Sequence, residues 1–421
     1  MSTKIKKTSR SCRTGSKAAE SKKEIDFIMT NKSKIRVVVA MSGGVDSSVA
    51  AYVLKKEGYD VLGIFMKNWH DTNATISKEC PWLEDSYDAM LVAEKLSIPF
   101  QVIDLSKEYK KKIVDYMFDE YKNGNTPNPD ILCNSEIKFD LFLKIAMDLG
   151  ADFIATGHYA QIKRTQINEK TFFHLLAGRD KTKDQSYFLC QLNQFQLSKT
   201  IFPIGGMLKN NVRKIAKENE IITAGKKDSQ GLCFIGKVKL PDFLQQKLKP
   251  KKGDVVLIKD THKNYFNKEK ANNYDALSQN YFYEKFDGDL VGHHNGAHYY
   301  TIGQRKGISI GGRKNPLYVL STDVKENIVY VGEGADHPGL YRLALKVLKK
   351  KIHFVSETKT VLKNDNLKAR IRYRQALQKV SIFQKNNFYY FLFEKPQKSI
   401  TSGQFIAVYS DDELVCSGVI H

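Results

Sequence analysis

No two of the six cysteines form a C-x-x-C pair, which removes zinc ribbons and cysteine-ligated iron–sulfur clusters from consideration. Cys12, Cys80, Cys133, Cys190, Cys233 and Cys416 are widely spaced. Unpaired thiols suit a reducing compartment, so a cytoplasmic protein is expected. No run of 18 apolar residues occurs, so no membrane span is expected, and no secretory apolar core is seen at the N-terminus. Acidic residues are also scarce: 46 Asp and Glu stand against 67 Lys and Arg, a formal net charge of +21. Residues 1–34 hold ten Lys/Arg and three Asp/Glu, which leaves +14 for the rest of the chain. A basic globular body points to a polyanionic partner. Residues 1–34 themselves are Ser/Thr-rich and poorly apolar, and read as a disordered basic extension.

What is present begins with "IRVVVAM" (Ile35–Met41), a continuous β-branched run that reads as a buried parallel strand. Strand and helix patterns then alternate through "SVAAYVLKKEG", "DVLGIFMKNW", "DSYDAMLVAEKLSI", "FQVIDLS", "EIKFDLFLKIAMDLG" and "DFIATGHYA". That alternation predicts an α/β domain with a doubly wound parallel sheet over residues 35–240. Beyond about residue 240 the runs become short, aromatic and β-branched, as in "KGDVVLIKD", "AHYYTIGQRKG", "NNFYYFLFEKP" and "GQFIAVYSDDELVCSGVI". These predict a small central domain over 241–312 and an antiparallel β-barrel over 313–421. The polar, aromatic stretch 260–287 has no clear period. It reads as an insertion in a hairpin loop.

"AMSGGVDSS" follows the first strand and opens a helix. Gly43 and Gly44 permit a tight turn and a close ligand. The amides of the helix start, with the hydroxyls of Ser42, Ser47 and Ser48, form an anion cradle. No G-K-[ST] follows, so this is not a Walker A loop. Met66, at the carboxyl edge of the second strand, is a candidate to pack on adenine, and Gly157 and His158 end a later strand at the same edge.

Cys133 stands at the predicted start of the helix that includes "EIKFDLFLKIAMDLG", where amides and dipole favour a thiolate. It is a candidate nucleophile, the alternative being a small buried hydrophobe. Asp130, three residues earlier, would move protons, bind a substrate amide or cap the helix. Cys233 lies between Gly231 and Gly236, with Lys226, Lys227 and Lys237 near enough in sequence to lower its pKa. Cys190, on an apolar face, is expected in the core. "RIRYRQ", with Arg372 and Tyr373, mixes cations and an aromatic ring in the manner of phosphate contact and base stacking.

The S-G-G-x-D-S loop closely resembles the pyrophosphate loop of the ATP pyrophosphatase group. With "TPNPDILCNSEIKF", "ATGHYA", "KDQSYFL", "DSQGLCFIG" and "YYTIGQRKG" in one order, the chain from Ile35 to His421 resembles the tRNA-specific 2-thiouridylase family. The resemblance implies an adenine nucleotide alpha hydrolase-like fold and an enzyme that adenylates the C2 oxygen of a wobble uridine with ATP and Mg²⁺, then replaces it with sulfur. It implies ATP contacts at Ala40, Met41, Ser42, Gly43, Gly44, Val45, Asp46, Ser47, Met66 and Gly157, with Asp46 positioning Mg²⁺ or pyrophosphate. Catalysis would fall to Cys233 as persulfide carrier, to Cys133, which forms a disulfide with Cys233 or releases its sulfur, and to Asp130. No metal site built from protein ligands alone is expected. Asn128, Pro129 and Asp130 would meet the target base. His158, Lys183, Asp184, Gln185, Arg372, Tyr373 and Gln404 would meet the tRNA, with the lysine, glutamate and glutamine acceptors as substrates. The sulfur would come from a persulfide carrier protein or a cysteine desulfurase. Two departures are visible: His70 replaces an acidic residue after "KNW", and the 260–287 insertion is long, either extending a tRNA-facing hairpin or standing in solvent. The alternative is another ATP pyrophosphatase, of amidotransferase or ligase type, acting on a different substrate.

Overall fold

The computed structural model describes residues 32–69, 81–228, 240–266, 273–355 and 366–421. In the first half the strands are β1 (Arg36–Ala40), β2 (Asp60–Lys67), β3 (Phe100–Asp104), β4 (Phe153–Ala155), β5 (Ala160–Ile167), β6 (Lys170–Ala177) and β7 (Thr200–Ile201). Five of them make a parallel sheet in the order β3-β2-β1-β4-β7. Alternate side chains of a strand leave opposite faces. Val37 and Val39 accordingly enter one core with Val49 and Leu54, whereas Val38 and Ala40 enter another with Ile64 and Phe142. The helix Val45–Lys56 covers the first face and the helix Phe142–Asp148 the second. A strand covered on both sides has no room for a polar alternation, which is why "VVVA" reads as an unbroken apolar run.

The expected strand "DFIATGHYA" is interrupted. β4 stops at Ala155, and β5 starts a hairpin with β6 that leaves the parallel sheet. β6 then pairs with the last strand of the chain, Leu175 opposite Leu414 and Leu176 opposite Glu413.

The central sheet contains β8 (Gly253–Leu257), β9 (Asp289–His294), β10 (Leu317–Asp323) and β11 (Ile328–Glu333), in the order β10-β11-β8-β9. The sequence boundary at 312 therefore moves: β11 pairs in parallel with β8, and Val319, Val329 and Val331 share one core with Val255 and Leu257. "AHYYTIGQRKG" forms one short helical turn and an irregular loop instead of a strand.

The barrel is built from β12 (Tyr341–Phe354), β13 (Leu367–Arg370), β14 (Gln378–Lys385), β15 (Phe388–Lys398), β16 (Phe405–Ser410) and β17 (Glu413–Ile420). Pairing of β12 with β17 closes it around Leu345, Val347, Phe391, Ile406 and Val408. The stretch 260–287 lies between β8 and β9, which pair as a hairpin; Phe266, Phe282 and Phe286 in it are exposed, but one part is packed on the protein. The helix Tyr274–Ser278 docks on the barrel, where Tyr274 stacks on Phe383 at 4.7 Å and Asp275 accepts a hydrogen bond from Tyr390.

Candidate active site

The loop Met41–Gly44 leaves the carboxyl end of β1 and feeds the helix Val45–Lys56. Gly43 has φ +69°, and a Cβ there would stand 2.1 Å from the Asp85 carbonyl oxygen, so the turn requires glycine. Gly44 precedes the helix in extended conformation, with no side chain capping the first amides. Uncapped first amides of a helix are suited to an anion. The Ser42 amide donates to Ser47 Oγ at 3.1 Å, and Ser48 Oγ donates to the Gly44 carbonyl at 2.8 Å, which stiffens the cradle.

Asp46, in the first turn of that helix, is not left to water. Lys209 Nζ lies 2.8 Å from each of its carboxylate oxygens, and the Tyr159 hydroxyl donates to Oδ1 at 2.8 Å. Burial and the Asp46 carboxylate raise the Tyr159 pKa, keeping it a donor. Lys209, whose side chain is 8% exposed, also reaches Asp228 at 2.7 Å. Asp228 is gripped further by Lys183 at 2.6 Å and Arg213 at 2.8 Å. Desolvation works to raise its pKa, yet hydrogen bonds from Lys183 and Lys209 hold it well below the usual carboxylate range. One lysine thus ties the pyrophosphate-type loop to the residue that begins "DSQGLCFIG".

Gly157 is needed for a different approach from the one expected. A Cβ there would stand 2.7 Å from the Asp46 carbonyl carbon and the Ser47 amide nitrogen, so it admits the helix start itself. Met66 is 2% exposed and packs with Val38, Ala40 and Ile64 in the core, not on an open adenine surface.

The helix carrying Cys133 starts earlier than the pattern predicts. Asn128 caps it by accepting from the Ile131 amide at 3.2 Å, Pro129 is its first residue, and it runs as Pro129–Leu132, Cys133–Leu141 and Phe142–Asp148. Cys133 therefore lies one turn inside the helix, fully buried, where the field of the helix end has largely decayed. Asp130 is half-buried in the first turn. Asn128 Nδ2 also donates to Gln404 Oε1 at 3.3 Å, and Gln404 Nε2 donates to the carbonyls of Thr126 and Pro127 at 2.9 and 3.0 Å. Two segments 278 residues apart, both expected from the resemblance to meet RNA, are stitched together here.

The "KDQ" side chains are all engaged within the protein. Lys183 holds Asp228. Asp184, 3% exposed, pairs with Arg370 at 2.6 Å and accepts from the Gly178 and Ser186 amides. Gln185 Oε1 accepts from the Tyr159 amide at 2.9 Å. The buried Asp184 carboxylate thus faces the barrel and not an RNA surface. Arg372 donates to the Lys398 and Ser399 carbonyls, and the Tyr373 ring lies 4.4 Å from that of Phe188. His158 is flanked by the Phe139 and Phe202 rings at 5.9 and 6.1 Å. Burial, with Lys138 nearby, pushes its pKa well down, so its imidazole is neutral.

Cys233, like His70, Cys12 and Cys80, lies outside the described residues. Part of the case for its basic surroundings changes, because Lys226 is committed to Asp85 at 2.7 Å and Asp88 at 2.5 Å. Cys190 is core, its thiol pushed up to about 12 by burial. Among the described residues no cluster of three His, Cys, Asp or Glu is placed to hold a metal, and no helix is long and apolar enough to cross a membrane.

Lys209, Tyr159 and Asp228 carry the electrostatics: Tyr159 and Asp228 lie in "ATGHYA" and "DSQGLCFIG" without a role of their own there, and Lys209 lies in no motif. Lys209 begins an ordinary amphipathic helix, Lys209–Glu218, and only its distance to Asp46 identifies it. Asn68, in "FMKNW", has no such signal either. It is 1% exposed at the carboxyl end of β2, and neither amide atom has a hydrogen-bond partner among the described residues.

Three family models match in succession: "tRNA methyl transferase HUP domain" over residues 35–237, "tRNA methyl transferase PRC-barrel domain" over 272–333 and "Aminomethyltransferase beta-barrel domain" over 345–420. A protein of Christiangramia forsetii named tRNA-specific 2-thiouridylase MnmA is 56% identical over 392 residues, 91% of this chain and 99% of its own. A protein of the same name from Flavobacterium johnsoniae is 57% identical over 393 residues, 91% and 99% of the two chains. Another from Karelsulcia muelleri is 50% identical over 391 residues, 93% and 100%.

Proposed function

The chain belongs to the tRNA-specific 2-thiouridylase family, and on that premise we propose that it is a tRNA-uridine 2-sulfurtransferase that consumes ATP. The C2 oxygen of the target uridine attacks the α-phosphorus, the bond to the β-phosphate breaks, and pyrophosphate leaves. A persulfide sulfur on Cys233 then attacks C2, and the C2–O bond breaks with AMP as leaving group. Cys133 cleaves the sulfur–sulfur bond, either in that step, forming a disulfide with Cys233, or beforehand, freeing sulfide for the attack. A thiol reductant resets the pair.

The observation that carries this reading is Lys209 shared between Asp46 and Asp228. Asp46 lies in the first helical turn after the loop that would take the phosphates, and it would hold the Mg²⁺ that arrives with the nucleotide. Such ions use one or two carboxylates plus phosphate oxygens, not an all-protein cage. Asp228 stands five residues before Cys233, and five residues span at most about 18 Å. The thiol is thereby leashed to the nucleotide site. Asn128, Pro129 and Asp130, next to Gln404, would receive the flipped base, because a uridine must leave the anticodon stack to be reached. RNA contacts of His158, Arg372 and Tyr373 belong to the same proposal, as do ATP contacts along Ala40–Ser47. The proposal places the enzyme in the cytoplasm with its tRNA substrates, the lysine, glutamate and glutamine acceptors, and a persulfide donor.

The test is mass analysis of nucleosides from tRNA incubated with the enzyme, ATP and a persulfide source. The reading requires 2-thiouridine, with one pyrophosphate per sulfur, and no thiolation by Cys133→Ser or Cys233→Ser. A fully active Cys233→Ser enzyme removes the persulfide step. Pyrophosphate release without RNA, and no thiolated nucleoside, indicates a ligase or amidotransferase instead.

A further inference from the structure

Several lysines reach a carboxylate, among them Lys32, Lys67, Lys112, Lys209 and Lys226. One basic stretch has no carboxylate of its own. Residues 290–322 contain no Asp or Glu but do contain Arg305, Lys306, Arg313 and Lys314. All four are exposed, and among the described residues none makes an ion pair. They lie on a loop that is irregular yet firmly fixed. Ile308 is buried in the central core and Ile310 packs on it. The Gly303 amide donates to Val319 at 2.7 Å, Val319 donates back to Gln304 at 3.0 Å, and the Tyr300 hydroxyl donates to Gly307 at 3.0 Å. Gly303, at φ +85°, lies so close to the barrel that a Cβ would meet Ser399 Oγ at 2.1 Å.

The same loop forms a wall of a cleft of about 250 Å³ whose other walls include Thr126, Arg372 and Gln404. Thr301 Oγ1 and Thr126 Oγ1 are 3.1 Å apart across its floor. Arg305 and Lys306 directly follow Gln304, a residue of the cleft wall, and the proposed function places the target nucleotide in that cleft.

We propose that loop 301–316 is a phosphate-binding site for the tRNA backbone, with Arg305, Lys306, Arg313 and Lys314 engaging phosphates that flank the nucleotide in the cleft. The inference rests on the tRNA reading. Its physical basis is that uncompensated, exposed cations on a rigid frame gain from releasing the counterions of a polyanion, while cations already paired gain little. RNA is favoured over an acidic protein because the exposed part of the loop offers charge without an apolar patch: Ile308 and Ile310 pack in the central core and Ile302 lines the cleft.

The experiment measures tRNA affinity of the full chain across a series of KCl concentrations. It compares the wild type with R305A/K306A, R313A/K314A and a charge-matched control, K349A/K350A, on exposed β12 residues. Melting temperature confirms that each variant is folded. The proposal expects the slope of log affinity against log salt to fall by roughly 0.7 to 0.9 for each lost phosphate contact in the two loop variants and not in the control. It also expects ATP affinity, and turnover at saturating tRNA, to stay within about threefold. Unchanged slopes in both loop variants overturn it, as do equal losses in all three, which would mean a diffuse field. Normal tRNA binding with a lost response to the protein sulfur donor also overturns it and assigns the loop to that donor. A wild type that binds no tRNA refutes the function proposed above, a result distinct from any of these.

Discussion

A single ammonium group, Lys209 Nζ, stands 2.8 Å from Asp46 and 2.7 Å from Asp228. Lys209→Gln keeps much of the length and removes the charge. We expect tRNA-dependent pyrophosphate release to fall about 100-fold, the scale of losing one preorganised electrostatic group, and a radiolabelled pyrophosphate assay checks this. Asp228 gives a pH test. Its pKa is held below the ordinary 3.8 against desolvation, by hydrogen bonds from Lys183 and Lys209. A carboxylate depressed in the folded state adds stability that is complete above the unfolded value and is lost as pH falls through the folded one. The stability difference between wild type and Asp228→Asn should therefore be flat from about pH 5 to 8 and shrink below about pH 4. Urea unfolding at several pH values measures it; a difference that grows on acidification contradicts the assignment.

At the level of elements, the start of the helix Val45–Lys56 is wedged against Gly157 with no space for a methyl group. Gly157→Ala should cost about 1–3 kcal/mol, as overpacking does, and should weaken ATP binding, because what moves is the turn that presents the first amides. Calorimetric titration with ATP separates this from a purely global loss. The elements themselves were unevenly legible. β1 and its glycine turn announce themselves, since a strand covered on both faces must be apolar throughout and only glycine takes the turn. The β5–β6 hairpin did not: its burial pattern is set by a distant strand, β17, which no local periodicity reports. The start of the helix at Pro129 is hidden because the apolar run after Glu136 dominates the pattern, while the true start rests on one cap, Asn128. Distances between far segments, such as Lys209 to Asp46, leave no local trace at all.

At the scale of the whole molecule, the catalytic half and the barrel are joined through the Asp184–Arg370 pair, with side chains 2% and 8% exposed. Removing one partner strands a buried charge. Asp184→Ala should destabilise by roughly 3–5 kcal/mol, and the double variant Asp184→Ala/Arg370→Met by clearly less. Urea midpoints across the cycle decide whether the pair is coupled. The hairpin of β5 and β6 makes the join deeper still. Because β6 lies along β17, the barrel covers an edge that belongs to the nucleotide-binding half. Expressing residues up to the end of the parallel sheet as a separate fragment would bare that edge, and unpaired edges recruit other chains. Dissecting this protein at its apparent boundaries would thus yield a sticky half-molecule rather than an independent module.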